Sequence, residues 1–406
     1  MVWEANSPKS TIRHNDSIVK SRLNNWTMNV IENLNSNFTI NNTIQYSSNS
    51  STTTPTLFRH SIAFKMLIAY VSIIWGLGIL AGCAYFIIIP LWFRCSRTQQ
   101  YGQLFPRSPT EKLPRPRIYL RCNAFKLPNG DGIELGVWHL PPHLFCCRNC
   151  NQQRRLPPKQ IEPNEIVVLY AHSNAGNRAN GQSLFYALNT ELVYHIVTFD
   201  YRGYGDSTDE QPTATTMVDD IGAVYEWILS HGATPKQVLL WGHSIGTGVV
   251  VRLLSTLSKD RTPLGAVLEA AFTTLSEAIA DYPPLYLVSM VPWFKCMVTN
   301  PINNNVDFCF DSISLLPNVK CPLLILHSRD DSVVPVHHGC RLYKTAKRVQ
   351  PAEVAMCTMF HMFPPEKEYG HNEIQNDRRL YRIVNRFVNN IKQRMSYNEY
   401  QKLYNI

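Results

Sequence analysis

From residue 118 almost to the end of the chain, short apolar runs alternate with polar turns. The runs IYLRC (118–122), IELGVWHL (133–140), IVVLYAH (166–172), HIVTFDY (195–201), VLLWGH (238–243), GAVLEA (265–270), LLILHS (323–328) and AEVAMCTMF (352–360) predict strands. Several are apolar at every position, the mark of strands buried on both faces. Between most of the later runs, apolar residues recur at helical spacing, in segments 182–192, 213–231, 245–258 and 336–349. A last helix is predicted over 375–395. This alternation predicts an α/β fold, a mostly parallel sheet with helices on both faces. The first two strands have no helix between them and predict an antiparallel edge. No internal repeat is visible.

The pattern before 118 differs. Residues 1–62 are rich in Asn, Ser and Thr and predict a disordered N-terminal region. Residues 66–93 hold no charged residue. That is long enough to span a bilayer core, and its distance from residue 1 predicts a retained transmembrane helix, not a cleaved leader. Lys65 and Arg94 bracket it, with Tyr70 and Trp92 near its ends. Residues 94–117 form a basic juxtamembrane linker carrying Arg94, Arg97, Arg107, Lys112, Arg115 and Arg117, a stretch suited to anionic lipid headgroups. The domain that follows is expected over 118–395, with a tail at 396–406.

Charge and cysteines narrow the function. A net charge of +9 invites nucleic acid, but no nucleic-acid-binding motif accompanies it. Cys146, Cys147 and Cys150 cluster in an inserted loop (143–160) without the second pair of ligands a zinc site needs. Neither metal nor cofactor is read from the spacing.

The chemistry lies in QVLLWGHSIGTGVV (237–250). Gly242-His243-Ser244-Ile245-Gly246 is G-x-S-x-G between a buried strand and a helix, which predicts a sharp turn presenting Ser244 as nucleophile. A lone serine needs a base and a group to orient it. In this topology the acid follows a later strand. LLILHSRDDSVVP offers Asp330 and Asp331, and the D-x-V-V-P run favours Asp331. The base follows the last strand. His371, in a Gly-His pair before the last helix, fits better than His361. His243, His327, His337 and His338 read as packing residues. The oxyanion donors are expected at the Ile245 N–H and at an N–H near Asn174, in the loop HSNAGNR (172–178). The segment 272–300 is apolar and predicts a cap, extending to about 306, over the serine. Tyr282, Tyr286 and Trp293 are candidate acyl-chain contacts.

Taken in order, HSNAGNR, TFDYRGYGDS (198–207), WGHSIGTGV (241–249), LLILHSRDDSVVP (323–335) and GHNEI (370–374), behind an N-terminal anchor, resemble the membrane-anchored α/β-hydrolase-domain lipases of the monoacylglycerol and lysophosphatidylserine lipase group. The resemblance covers roughly 63–395. It implies an α/β-hydrolase fold and hydrolysis of monoacylglycerols and lysophospholipids at a membrane, without cofactor. It also implies a Ser244–His371–Asp331 triad, and structural roles for Asp200, Arg202 and Asp206. The family loop reads HGNAG, where this chain has Ser173. Two rival readings are an acyl-protein thioesterase, separable by acyl-cysteine peptides, and a non-catalytic scaffold, which the intact triad disfavours. On topology two signals conflict. The basic flank after the anchor and the sequons at Asn15, Asn25, Asn37, Asn41 and Asn49 before it point to a cytosolic catalytic domain. The family implies a lumenal one, at the endoplasmic reticulum, and that is the expectation taken here.

Overall fold

The computed structural model describes residues 55–109, 122–142, 161–174, 176–285, 289–290 and 292–404. Eight strands form one sheet: β1 Asn123–Pro128, β2 Glu134–Leu140, β3 Val167–Ala171, β4 His195–Phe199, β5 Val238–His243, β6 Gly265–Glu269, β7 Leu323–Ser328 and β8 Met359–Phe363. Across the sheet their order is β8-β7-β6-β5-β3-β4-β2-β1. Strands β3 to β8 pair in parallel. Strand β2 runs antiparallel to both β1 and β4, so the edge is antiparallel as expected.

Strands β3, β5 and β7 are buried at every position. Successive side chains point to opposite faces. Val167, Leu169 and Ala171 therefore join one core and Val168 and Tyr170 the other. The first core is covered by α5 (Ala214–Ser230), α6 (Ile245–Thr256) and α8 (His337–Val349). The second is covered by α4 (Gln182–Glu191), through Leu184, Phe185 and Leu188, and by α10 (Leu380–Tyr404), through Val384, Phe387, Val388 and Ile391. Thr213 starts α5 with a capping box, its hydroxyl accepting from the Thr216 N–H at 3.0 Å.

Four segments depart from the sequence reading. The run 352–360 is not one strand: Ala352–Cys357 is a helix, α9, and the strand starts at Met359. Pro351 precedes that helix, and Ala, Glu and Met favour it. His361 therefore lies inside β8. At the other edge, the first strand is Asn123–Pro128; residues 118–121 lie outside the described residues. Its Phe125 and Leu127 face inward and Lys126 outward. Helix α10 begins at Leu380, later than predicted, because Asp377 accepts from the Arg379 N–H at 2.6 Å and from Tyr369 Oη at 3.0 Å ahead of it. It then runs on to Tyr404.

The fourth departure is the basic linker. Its residues 97–104 form a helix, α3 (Arg97–Leu104), and Gln100, Leu104 and Phe105 are buried. Tyr101 Oη donates to Asp307 Oδ2 at 3.1 Å, and the Phe105 ring packs on Phe308 and Phe310. Arg107 pairs with Asp209 at 3.2 Å. Lys112, Arg115, Arg117, residues 1–54 and the insertion with Cys146, Cys147 and Cys150 lie outside the described residues.

The chain divides into two units, Met1–Trp75 and Gly76–Ile406. The first is described only from Pro55, as the beginning of α1 (Pro55–Cys83); the sheet and its helices belong to the second. Within α1, Phe64–Cys83 has mean hydropathy 2.1 and none of it is buried. It is long and apolar enough to cross a bilayer. A π-helical turn, Ala84–Ile88, leads into α2 (Ile89–Cys95).

Buried histidines make stability depend on pH. Burial first, then neighbouring His195, pushes His139 down to about 3. Burial pushes His172 down to about 4. Unfolded, each binds a proton near pH 6.5. Between about pH 4 and 6.5 the unfolded chain thus holds more protons, so stability falls as pH falls through that window, by up to about 1.4 kcal/mol per pH unit for each group. Asp200, raised to about 6 by burial, acts in the opposite sense, one proton against two. His243 and His361 are shifted down as well. The melting temperature is therefore expected to fall between pH 7 and pH 5. A flat or rising profile would contradict this account.

Candidate active site

Strand β5 passes into α6 through a single residue, Ser244. Its backbone sits at φ 54°, ψ −117°. Such a conformation costs a side-chain-bearing residue roughly 1–3 kcal/mol. The chain reaches it because its flanks are glycines. A Cβ on Gly246 would lie 2.3 Å from Ala171 O, and one on Gly242 2.4 Å from Gly246 O. The Ser244 N–H donates to Glu269 O at 2.9 Å, tying the turn to β6. The serine thus stands at the C-terminal end of the sheet, beside the helix N-terminus that begins at Ile245.

Two later loops deliver its partners. His371 Nε2 lies 2.9 Å from Ser244 Oγ, and His371 Nδ1 lies 2.9 Å from Asp331 Oδ2. A carboxylate only accepts, so Nδ1 carries the proton and Nε2 is free to take one from the serine. Asp331 Oδ1 accepts from the N–H groups of Val333 (2.8 Å) and Val334 (2.9 Å). Burial alone would raise the Asp331 carboxyl. The nearby His327 ring, the His371 N–H and the Val334 N–H outweigh it and hold the group well below the usual carboxylate range. Asp331 is therefore charged whenever His371 needs a counter-charge.

The neighbouring acid does something else. Asp330 Oδ2 accepts from the Gly370 N–H at 3.0 Å, and its Oδ1 accepts from Ser328 Oγ. It joins the end of β7 to the loop that carries His371. His243 Nε2 donates to His371 O at 3.0 Å and holds the same loop from below. His327 lies 3.5 Å from Asp331 Oδ2 while donating to Val334 O at 2.8 Å. Neither histidine stood out in the sequence beyond its place beside a site residue. His361 sits in β8 against Phe363 and makes no contact with the serine chain among the described residues.

The loop expected to supply an oxyanion donor is fixed through Asn174. Its Nδ2 donates to Leu104 O at 3.0 Å, and its Oδ1 accepts from Tyr204 Oη at 2.8 Å. The side chain is thus anchored at both ends, which fixes the course of the loop. The clamp involves α3, in the stretch 94–117 that the sequence predicts as a linker. Beneath it, Arg178 pairs with Asp200 at 2.7 Å and with Asp206, and Arg202 pairs with Asp220 at 2.7 Å. These pairs, buried except on the Asp206 side, hold the strand ends and do not reach Ser244.

A cavity of about 370 Å³ opens between the 173–180 loop and the stretch that follows His371, lined by Ser173, Asn174, Asn180, His243, Asn372 and Glu373 among others. Its walls are mostly polar: amides, the Ser173 hydroxyl, the His243 ring and the Glu373 carboxylate. In the cap, Phe294 and Ile302 are buried in the core, Trp293 is half-buried and Tyr282 is 38% exposed. Tyr286 lies outside the described residues.

This sheet order, with a strained serine after β5, an acid after β7 and a histidine after β8, defines an α/β-hydrolase. The profile of the alpha/beta hydrolase fold family matches residues 166–285. Lysophosphatidylserine lipase ABHD12 of Mus musculus is 34% identical over 270 residues, 66% of this chain and 66% of the mouse protein. The Danio rerio protein of the same name is 32% identical over 324 residues, 78% of this chain and 82% of its own length. Of solved structures, the Pyrococcus furiosus esterase Pf2001 aligns with 70% of this chain and 96% of its own, at 18% identity and TM-score 0.49. The chain belongs to the lysophosphatidylserine lipase ABHD12 family and is an ester hydrolase of the α/β-hydrolase fold.

Proposed function

We propose that the protein is a membrane-anchored serine hydrolase that cleaves the acyl ester of lysophospholipids, lysophosphatidylserine foremost, and of monoacylglycerols. The observation that carries this reading is the His371 ring, 2.9 Å from both Ser244 Oγ and Asp331 Oδ2. Ser244 Oγ attacks the ester carbonyl and His371 Nε2 takes its proton. The Ile245 N–H and a backbone N–H near Asn174 hold the oxyanion. His371 returns the proton to the departing alcohol, the deacylated glycerol backbone of the substrate. Water, deprotonated by the same nitrogen, then releases the fatty acid and restores the serine.

The polar cavity supports a lysophospholipid over a fully apolar ester. Its amides suit a phosphate and a glycerol hydroxyl, and Glu373 suits an ammonium group. In the proposal, Tyr282 and Trp293 line the acyl-chain side, and Arg94 and Arg107 face anionic headgroups. The test is fatty-acid release from lysophosphatidylserine and monoacylglycerol by full-length protein, in vesicles with and without an anionic lipid, with Ser244→Ala as the blank. Lysophosphatidylserine should be cleaved faster, and anionic vesicles should raise the rate. Equal release by the blank would overturn the assignment.

The domain is further proposed to lie on the lumenal side of the endoplasmic reticulum membrane, following the family. Endoglycosidase digestion reads this directly. Asn37 precedes the anchor, so a mobility shift from a glycan at Asn37 would place the hydrolase domain in the cytosol and overturn the placement.

A further inference from the structure

Away from Ser244, three side chains converge that the proposed reaction does not use. Asp281 Oδ2 lies 2.9 Å from His337 Nε2 and 3.3 Å from His338 Nε2, and the three ligand atoms all fall within 4.8 Å of one another. Asp281 follows α7 (Leu275–Ala280), at the entrance to the cap; the histidines open α8, just after the Asp331 loop. Bonds of about 2.0–2.2 Å to a tetrahedral zinc ion set donors about 3.3–3.6 Å apart. The cluster is close to that spacing.

Hydrogen bonding around His338 supplies the second argument. The ring is fully buried, and its Nε2 has no hydrogen-bond partner. Its Nδ1 lies 2.8 Å from Thr273 Oγ1. That hydroxyl gives its only proton to Glu277 Oε2, which also accepts from Arg341 Nη1 at 2.9 Å. Thr273 Oγ1 must therefore accept from His338, so Nδ1 carries the proton. The Thr273 N–H, 3.4 Å from the same nitrogen, is the weaker contact. Nε2 is left with a lone pair aimed at a carboxylate oxygen. Two acceptors facing each other across 3.3 Å, one of them on a fully buried ring, call for a cation between them. A histidine whose far nitrogen is held through a hydroxyl to a carboxylate is also the usual outer support of a metal ligand.

We propose that Asp281, His337 and His338 bind one divalent transition-metal ion of the zinc class, with a fourth position open to water on the exposed His337 side. The ion clips the start of the cap to the start of α8. It takes no part in the chemistry at Ser244, so it stands whatever that site hydrolyses.

The test is zinc titration of chelator-stripped full-length protein in detergent, followed by calorimetry, with thermal melts to establish folding. One ion per chain is expected. His337→Ala and Asp281→Asn, both at exposed or half-exposed positions, should weaken binding by roughly 100-fold or more. Thr273→Val, which breaks the outer support, should weaken it about 10–100-fold. His361→Ala, a histidine outside the cluster, should bind as the wild type does. Zinc should raise the melting temperature of the wild type and leave that of His337→Ala unmoved. Folded wild type that takes up no zinc would overturn the proposal, showing that a proton fills the gap at His338. Uptake unchanged in both His337→Ala and Asp281→Asn would overturn it equally.

Discussion

Ser244→Ala is expected to lower kcat for lysolipid hydrolysis by roughly 10⁶-fold, the loss seen when a triad nucleophile is removed. At 1.36 kcal/mol per factor of ten, that is about 8 kcal/mol of transition-state stabilisation. The change deletes one oxygen and little else. The turn is held by backbone: the Ser244 N–H still donates to Glu269 O, and the Thr247 N–H still donates to the carbonyl of residue 244. Alanine meets the same cost at φ 54° as serine does. The melting temperature should therefore stay near that of the wild type. A fluorophosphonate probe, which reacts only with an activated serine, should label wild-type membranes and leave the variant blank. Labelling of a folded Ser244→Ala protein would move the nucleophile elsewhere.

Asp331→Asn is the second large effect, expected at about 10⁴-fold in kcat. The amide oxygen can still accept from Val333 and Val334, so the loop keeps its shape. The amide nitrogen, however, would face His371 Nδ1 as a donor. The ring would then carry its proton on Nε2, pointing at Ser244, where it cannot act as base. Asp330→Asn makes the contrast. Asp330 accepts from the Gly370 N–H and from Ser328 and touches neither ring nitrogen of His371. Its loss should loosen the loop and cost about tenfold or less, within the range of one hydrogen bond. Steady-state rates of the two variants, side by side, decide between the carboxylates. A larger loss in Asp330→Asn would reverse the assignment.

Much of this site was legible in the sequence, for a local reason. G-x-S-x-G is a backbone requirement: the glycines at 242 and 246 are needed because Gly246 O and Ala171 O stand where a Cβ would go. Such a demand is written within five residues. The strand runs were legible for a similar reason, because central parallel strands are apolar throughout. Where local preference and tertiary pairing disagreed, the sequence reading failed. Residues 352–357 look like a strand by apolar content and fold as α9. Asn123–Pro128, with Lys126 and a terminal proline, lacks a strong strand composition and is held as β1 by pairing with β2.

The sequence by itself determined the α/β alternation, the apolar segment before it, the serine turn and the order serine, acid, histidine. These follow from periodicity and from turn chemistry, which act over a few residues. Only the tertiary structure shows that Asp331 faces His371 while Asp330 faces the Gly370 N–H and Ser328, that α3 clamps Asn174 through Leu104 O, and that a polar cavity opens between the 173–180 loop and the stretch after His371. It alone brought Asp281 to His337 and His338, 56 residues away and more. Each of these depends on where a side chain points after distant segments have packed. Packing of that kind is a sum over the whole core, and no short stretch of sequence carries it.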